Sequence, residues 1–235
     1  NTKHSKMAPN YGSLPGVEDV ENPSSPSSSP CENQKKLKAE YLGTFILVWI
    51  GTGGLCVGKY MGALDLGGMV GLWMLGSTLA IALTASKSGA HLNPAVTLAF
   101  AIARPEDFSM NMVIPYWIAQ LLGGITAGLL NMLLFFKAIQ NYEGNLGHTL
   151  DSASTFGDYY SQSTGVANTL HAFLLEMAGT GFLTCVIFLI TNKKNGVKEV
   201  YAAPLIGITI GLIIALLGTL TGGGINPARD FGPRI

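Results

Sequence analysis

The chain has 235 residues, of which 48% are hydrophobic and 12% are charged, whereas a soluble domain usually carries about 25% charged residues. This composition and a mean hydropathy of +0.37 favour a membrane protein, although a soluble helical protein with an entirely apolar core is left open. The formal net charge of zero argues against a nucleic-acid partner.

The N-terminal residues, 1–37, differ from the rest of the chain. The run YGSLPGVEDVENPSSPSSSP is rich in Ser, Pro and acidic residues and has no hydrophobic periodicity. Such a segment cannot bury enough apolar surface to fold. We expect a disordered tail here, followed by a membrane domain over residues 38–235.

Five long apolar runs follow the tail. Each of them reaches the roughly 18–20 residues that a helix needs to cross about 30 Å of hydrocarbon. The fourth run is interrupted only by Glu176. The runs cover 41–58, 66–86, 110–136, 172–192 and 200–225. This pattern predicts an all-α, multi-pass integral membrane protein.

The basic residues predict the orientation of the spans. Lysines cluster before the first span and again between the fourth and fifth, whereas the longest link, 137–167, holds one Lys against three acidic residues. Because cytoplasmic loops carry an excess of Lys and Arg, we place the N-terminus in the cytoplasm and 137–167 outside. The clustered residues are Lys35, Lys36, Lys38, Lys193, Lys194 and Lys198. Whether the membrane is the plasma membrane or that of an organelle is left open.

The chain contains an internal repeat. AEYLGTFILV at 39–48 reappears as LEMAGTGFLT at 175–184, and an Asn-Pro-Ala follows each copy at a nearly equal distance. We therefore expect a first repeat over 38–136 and a second over 168–235. Since the first repeat holds three full spans, the second starts on the opposite side of the membrane, as in inverted-repeat transporters.

Each Asn-Pro-Ala begins a segment too short to cross the membrane. Residues 93–103 would form a helix about 16 Å long, half the hydrocarbon thickness. Asn is favoured as a helix N-cap and Pro at the first helical position, so the motif predicts a helix start. Inversion directs both N-termini at the membrane centre, where irregular backbone is tolerated only against protein or a water-filled cavity.

The paired motifs SGAHLNPAV and GGGINPARDFGPR resemble those of the major intrinsic protein family, the aquaporins and glycerol facilitators. The resemblance covers about residues 38–235. It implies an inverted-repeat bundle of six spans with two re-entrant half-helices, assembled as a homotetramer with one pore in each protomer. Because the chain ends at Ile235 inside the second half-helix, we expect a sixth span to follow in the full-length protein.

The resemblance assigns the two motifs to the centre of the pore. Each Asn side-chain oxygen would accept from its own helix while its NH₂ group faces the lumen, so that a passing water turns its oxygen towards both donors. This orientation, with the positive N-terminal ends of two helices, would exclude protons and cations. Ordinary helix capping is the alternative for a single motif. The residues are Asn93, Pro94, Ala95, Asn226, Pro227 and Ala228.

Four further residues match the offsets of the family's selectivity filter: Trp73, Ile214, Gly223 and Arg229. The alternative for Trp73 is an aromatic residue at the membrane interface, and for Arg229 a side chain that reaches the lipid head groups. A buried Arg in a membrane segment is, however, usually functional.

Two charged residues near the C-terminal end, Asp230 and Arg234, resemble the glycerol-facilitator subgroup. Together with Trp73 and Gly223 of the filter, they predict permeability to glycerol, and to urea, besides water. Ile214 and Gly223 depart from that pattern. The bacterial glycerol facilitator has Gly at the position that corresponds to Ile214 and an aromatic residue at the position that corresponds to Gly223. A strictly water-selective channel is therefore an alternative.

Three other polar residues are interpreted as structural. Glu40 and Glu176 would accept hydrogen bonds from the loops that carry the half-helices, with a proton relay as the alternative. His91 would satisfy backbone groups of its loop rather than bind a ligand or metal.

The sequence thus predicts a passive channel for water and small uncharged solutes that excludes protons and ions, and not an enzyme. An ion-coupled inverted-repeat transporter is the second class, and it would need an ionisable pair in the lumen. No cofactor or metal is expected, because the Cys residues are scattered without a metal-binding spacing.

Overall fold

The computed structural model describes residues 29–144, 149–160 and 168–235, and the regular elements within these ranges are helices. Short 3₁₀ turns precede α4, follow α6 and follow α8. The helices are α1 Pro30–Met61, α2 Leu66–Ser88, α3 Pro94–Ala103, α4 Val113–Glu143, α5 Leu150–Phe156, α6 Thr169–Thr191, α7 Glu199–Leu217 and α8 Pro227–Phe231.

Five of these helices, α1, α2, α4, α6 and α7, are long and apolar enough to cross a membrane. Their outward faces carry large exposed apolar side chains, such as Leu75, Leu79 and Leu83 on α2. Since residues four apart share one face of a helix, these leucines form an apolar row that suits a hydrocarbon surrounding. The ten-residue α3 is apolar but too short to span.

The first helix begins within the segment that was expected to be disordered. Ser29 caps α1 by accepting a hydrogen bond from the N–H of Glu32, and Pro30 occupies the first turn. Glu32 also pairs with Lys36 at 2.9 Å. The prediction of disorder was therefore wrong for residues 30–37, because capping and charge pairing stabilise a helix start that lacks apolar residues. Residues 1–28 of the expected tail lie outside the described residues.

Two other boundaries differ from the expectation. α4 continues to Glu143, well into the expected loop 137–167, and α5 lies within the same stretch; 145–148 and 161–167 lie outside the described residues. The fifth apolar run is helical only to Leu217. Beyond it, Gly222 and Gly223 adopt φ values of 104° and 67°, which a helix cannot contain.

Glycines allow the close packing of the spans. α1 packs against α2 and α4, α6 packs against α7, and α2 joins the two halves by packing against α7. At that junction a Cβ on Gly207 would lie 2.7 Å from the carbonyl oxygen of Met74. On α4, a Cβ on Gly128 would lie 2.6 Å from the Cα of Pro233. These positions require glycine because the helices approach closely.

The half-helices α3 and α8 lie inside this bundle. α3 contacts α4 and α6, α8 contacts α4, and the two half-helices contact each other. Their N-terminal ends are thereby brought together.

Candidate solute pathway

Both half-helices begin with an asparagine cap. The side-chain oxygen of Asn93 accepts from the N–H groups of Ala95 and Val96 at 2.9 and 3.4 Å. That of Asn226 accepts from Ala228 and Arg229 at 3.0 and 3.3 Å. Pro94 and Pro227 occupy the first helical position in each case, so the two motifs have the same local geometry.

The two caps are also hydrogen-bonded to each other's loops. The side-chain nitrogen of Asn93 donates to the carbonyl oxygen of Ile225 at 2.8 Å, and that of Asn226 donates to the carbonyl oxygen of Leu92 at 2.7 Å. The sequence-based expectation that both amide hydrogens face the lumen was therefore wrong in part. One hydrogen of each NH₂ joins the loops, and one is left for a solute.

These cross-links depend on strained backbone. Leu92 and Ile225 have φ values of 50° and 40°, a region that branched residues rarely adopt. Their N–H groups donate to buried carboxylates: Leu92 to Glu40 at 2.8 Å and Ile225 to Glu176 at 2.7 Å. Each carboxylate thus fixes the residue whose carbonyl oxygen accepts the hydrogen bond from the asparagine of the other half-helix.

The carboxylates make further hydrogen bonds within the protein. Glu40, which is fully buried, also accepts from the N–H of His91 at 3.0 Å and from the side chain of Gln120 at 2.7 Å. Glu176 also accepts from the N–H of Gly224 at 3.2 Å and from the hydroxyl of Thr221. These are the hydrogen bonds that the structural interpretation of the two residues requires. Among the described residues, neither Glu40 nor Glu176 lines the cavity between the half-helices.

A cavity in the described part of the chain is lined by both asparagines. The four expected filter residues, Trp73, Ile214, Gly223 and Arg229, all line it, together with Asn93 and Asn226. Much of the remaining wall is aliphatic and is supplied by α1, α2, α6 and α7. It includes Leu47, Ile81, Leu183, Ile187, Ile206 and Ile210. The cavity therefore has apolar walls with a few hydrogen-bond donors, a combination typical of small-molecule sites.

The indole of Trp73 and the guanidinium of Arg229 meet at the wall of this cavity. The Arg229 guanidinium carbon lies 4.8 Å from the centre of the indole ring, within the range of a cation–π contact. Both residues are buried. Gly51 makes room for the indole, since a Cβ there would collide with the ring. Gly223 also lines the cavity and, having no side chain, adds no bulk to it.

Arg229 also forms an ion pair that the sequence did not predict. Its Nη1 atom lies 2.6 Å from a carboxylate oxygen of Asp158, and both side chains are mostly buried. Asp158 belongs to the segment after α5, far from Arg229 in sequence. The one available signal was its position as an acidic residue in the link between the repeats.

Asp230 and Arg234 lie outside the described cavity lining. One carboxylate oxygen of Asp230 accepts from the main-chain N–H of Asp158 at 2.6 Å and from Arg234 Nη2 at 2.6 Å. The Arg234 side chain donates in addition to the carbonyl oxygen of Asp158. These two residues therefore anchor the segment after α5 and do not contact the cavity.

The interpretation of the His91 side chain was wrong. Its ring packs against Phe100, Phe108 and Tyr116, with centroid distances of 4.6, 4.6 and 5.3 Å. Its Nδ1 atom has no hydrogen-bond partner among the residues that the structure describes. His91 contributes to its loop through the main-chain N–H bound to Glu40, because the aromatic neighbours offer the ring few acceptors. In the described ranges, no group of three or more His, Cys, Asp or Glu residues could hold a metal ion.

Comparisons with known proteins agree with this architecture. The family described as Major intrinsic protein matches residues 27–235. The glycerol uptake facilitator protein of Haemophilus influenzae is 38% identical over 213 residues, which cover 86% of this chain and 79% of that protein. The propanediol uptake facilitator of Citrobacter freundii is 40% identical over 206 residues, which cover 84% and 74%. The aquaglyceroporin of Plasmodium falciparum superposes with a TM-score of 0.73 and 25% identity, over 86% of this chain and 80% of that one.

Taken with the fold, these similarities define a multi-pass membrane protein whose helical bundle surrounds a cavity between two half-helices. The chain belongs to the major intrinsic protein family.

Proposed function

We propose that the chain forms a passive transmembrane channel for glycerol and other small uncharged solutes, including water and urea. The observation that carries the proposal is the cavity in which Arg229, Asn93 and Asn226 face aliphatic walls and the indole of Trp73. A polyol has a carbon edge and a hydroxyl edge, so it can slide along the apolar wall while its hydroxyls accept hydrogen bonds from these donors. Relatives named for glycerol and propanediol uptake support this class of solute.

Proton exclusion is proposed to arise at Asn93 and Asn226. Each side-chain amide keeps one hydrogen after the cross-link, so that the pair offers two donors at one level of the pathway. A water there accepts from both and cannot also accept from its neighbours in line, which interrupts the chain along which a proton would move. The positive charge of Arg229 adds a barrier against cations.

Two observations favour glycerol over strict water selectivity. Gly223 places no side chain in the cavity beside Trp73 and Arg229, and the named relatives are facilitators of polyol-type solutes. An ion-coupled transporter is not favoured, because it requires an ionisable pair in the lumen. Of Glu40, Glu176 and Arg229, only Arg229 lines the described cavity.

The molecular context is proposed as follows. Residues 38–235, with the first turns of α1, form the channel domain, which consists of two inverted repeats in the bilayer. The N-terminus and the lysines after α6 lie in the cytoplasm, and the chain assembles as a homotetramer. Support comes from the lysine distribution and from the exposed apolar helix faces, which suit lipid or a neighbouring protomer. Tags placed before α1 and between α4 and α5 should show opposite accessibility in sealed vesicles, and equal accessibility would contradict this topology.

The function is tested by light scattering from proteoliposomes in an inward glycerol gradient, with no ion gradient. The vesicles should first shrink and then reswell as glycerol enters, faster than empty liposomes. Fast shrinkage with reswelling no faster than in empty liposomes would identify a water-only channel. Glycerol entry that depends on an added ion gradient would identify a coupled transporter.

A further inference from the structure

Asp158 contacts the guanidinium of Arg229, a residue that lines the cavity. Its carboxylate accepts from Arg229 Nη1 at 2.6 Å, and the two side chains are 15% and 6% exposed. Asp158 is not among the described residues that line the cavity, whereas Arg229 is. Asp158 can therefore influence a solute through the lining residues that it contacts, of which Arg229 is the charged one.

The position of this carboxylate is closely defined by its surroundings. It rests on the loop before Asn226, where a Cβ on Gly222 or on Gly224 would collide with it. On the other side, Asp230 and Arg234 bind the main-chain N–H and carbonyl of Asp158. A carboxylate held in this way keeps one guanidinium nitrogen turned away from the lumen and leaves the remaining donors for solutes.

The ion pair also balances charge in a poorly hydrated place. The charged groups that face Asp158 are Arg229 and Asp230 on α8, Arg234 in the following turn and Glu176 on α6. Burial raises the pKa of the Asp158 carboxyl to about 7, while Arg229 opposes the rise and the negative charges of Asp230 and Glu176 add to it. The carboxylate is therefore charged above neutral pH and becomes protonated as the pH falls below it.

We propose that Asp158 is a positioning residue that determines the selectivity of the channel for glycerol over water by holding the Arg229 guanidinium against Trp73. This inference rests on the function proposed above. When the carboxylate loses its charge, the ion pair becomes an ordinary hydrogen bond, which holds the guanidinium less firmly. The guanidinium then moves into the lumen more often and narrows it. A narrower lumen slows glycerol more than water, because glycerol is the larger solute.

The test compares the wild-type protein, Asp158→Asn and the matched control Asp151→Asn in proteoliposomes. Asp151 is an acidic residue of the same link, but it pairs with Lys59 at 2.7 Å, away from the cavity lining. Glycerol and water permeabilities are measured from about pH 8.5 to about pH 5.5, on either side of neutrality. At the higher pH, Asp158→Asn should lower the ratio of glycerol to water permeability by about fivefold, the difference between a hydrogen bond to a charged group and one to a neutral group.

The pH series provides a readout that a merely structural role would not change. The wild-type and Asp151→Asn ratios should fall with pH to the value of Asp158→Asn, whose own ratio should stay constant. Because the series can be run on the wild-type protein alone, the test does not depend on the folding of a variant. A wild-type ratio that is constant with pH would overturn this inference and leave the proposed function standing. An Asp158→Asn ratio equal to or above that of the wild type would do the same. A wild-type protein without glycerol flux would overturn the proposed function and this inference together.

Discussion

Asn93 and Asn226 are joined through reciprocal hydrogen bonds, in which each side-chain amide donates to the carbonyl of the residue before the other asparagine, at 2.8 and 2.7 Å. The same two amides cap the half-helices through their oxygens. Each asparagine therefore fixes its own half-helix and the loop of the opposite repeat, so the two halves of the chain stabilise each other at the centre of the bundle.

Asn93→Asp should separate these two roles. Aspartate caps a helix as well as asparagine does, but it cannot donate to the carbonyl oxygen of Ile225. The loss should lower the free energy of unfolding by about 3 kcal/mol or more, because the unpaired group is buried and charged. Thermal unfolding in detergent measures it. The control is Asn168→Asp, at the exposed cap of α6, where the side chain accepts from the N–H of His171. Equal effects of the two substitutions would contradict the cross-link.

Glu40→Gln should destabilise the first re-entrant loop. The carboxylate accepts from two main-chain N–H groups and from the Gln120 side chain. An amide in its place would direct an NH₂ group at one of these donors. We expect a loss of about 2–3 kcal/mol of unfolding free energy, in the range for hydrogen bonds to charged groups. Glu32→Gln, which removes an exposed ion pair with Lys36 on the same helix, should cost about 0–1 kcal/mol. If Glu40→Gln were as stable as Glu32→Gln, the result would contradict the role of Glu40 in supporting the loop.

Gly207→Ala tests the close approach of α2 and α7. The added methyl would lie 2.7 Å from the carbonyl oxygen of Met74, and such overpacking costs about 1–3 kcal/mol. Gly181→Ala on α6 is the matched control, because its Cβ would meet nothing within 4 Å. There the better helix propensity should stabilise the protein by about 0.5–1 kcal/mol. Opposite shifts in melting temperature are expected, and shifts of the same sign would argue against the packing at this junction.

Trp73→Ala should widen the cavity beside Arg229. Without the indole, a linear five-carbon polyol should enter more easily, raising its permeability relative to glycerol by about fivefold, equivalent to about 1 kcal/mol of barrier. The readout is reswelling of proteoliposomes in matched gradients of the two polyols. Trp49→Ala, on the exposed face of α1, should leave the ratio unchanged. An unchanged ratio for Trp73→Ala would place the narrowest point elsewhere.

The sequence predicts the features of this fold that depend on local chemistry. The Asn-Pro pair and the short apolar segment after it predict α3. The long apolar runs predict the five long helices, so in both cases the signal lies in the residues of the helix itself. The start of α1 carried a comparable signal, Ser29-Pro30 followed by Glu32, but the Ser- and Pro-rich composition around it outweighed that signal.

The features that the sequence did not predict depend on contacts between distant segments. The pairing of Asp158 with Arg229 and the cross-linking of the two asparagines each join residues from different parts of the chain. No spacing encodes such a pair. The environment of His91 was missed for the same reason, since its aromatic neighbours come from α3, α4 and the link between them.

The central claim is that glycerol crosses the membrane through the cavity lined by Trp73, Ile214 and Arg229. The most direct test measures glycerol flux through Ile214→Cys in proteoliposomes before and after treatment with a small methanethiosulfonate reagent. The untreated variant should conduct glycerol, and attachment of the reagent inside the cavity should reduce both glycerol and water flux to the level of empty vesicles. The wild-type protein is the control, since its Cys31 and Cys185 are exposed and lie outside the described lining, and treatment should leave its flux unchanged. Glycerol flux that persists after labelling of Cys at position 214 has been verified by mass spectrometry would contradict the account.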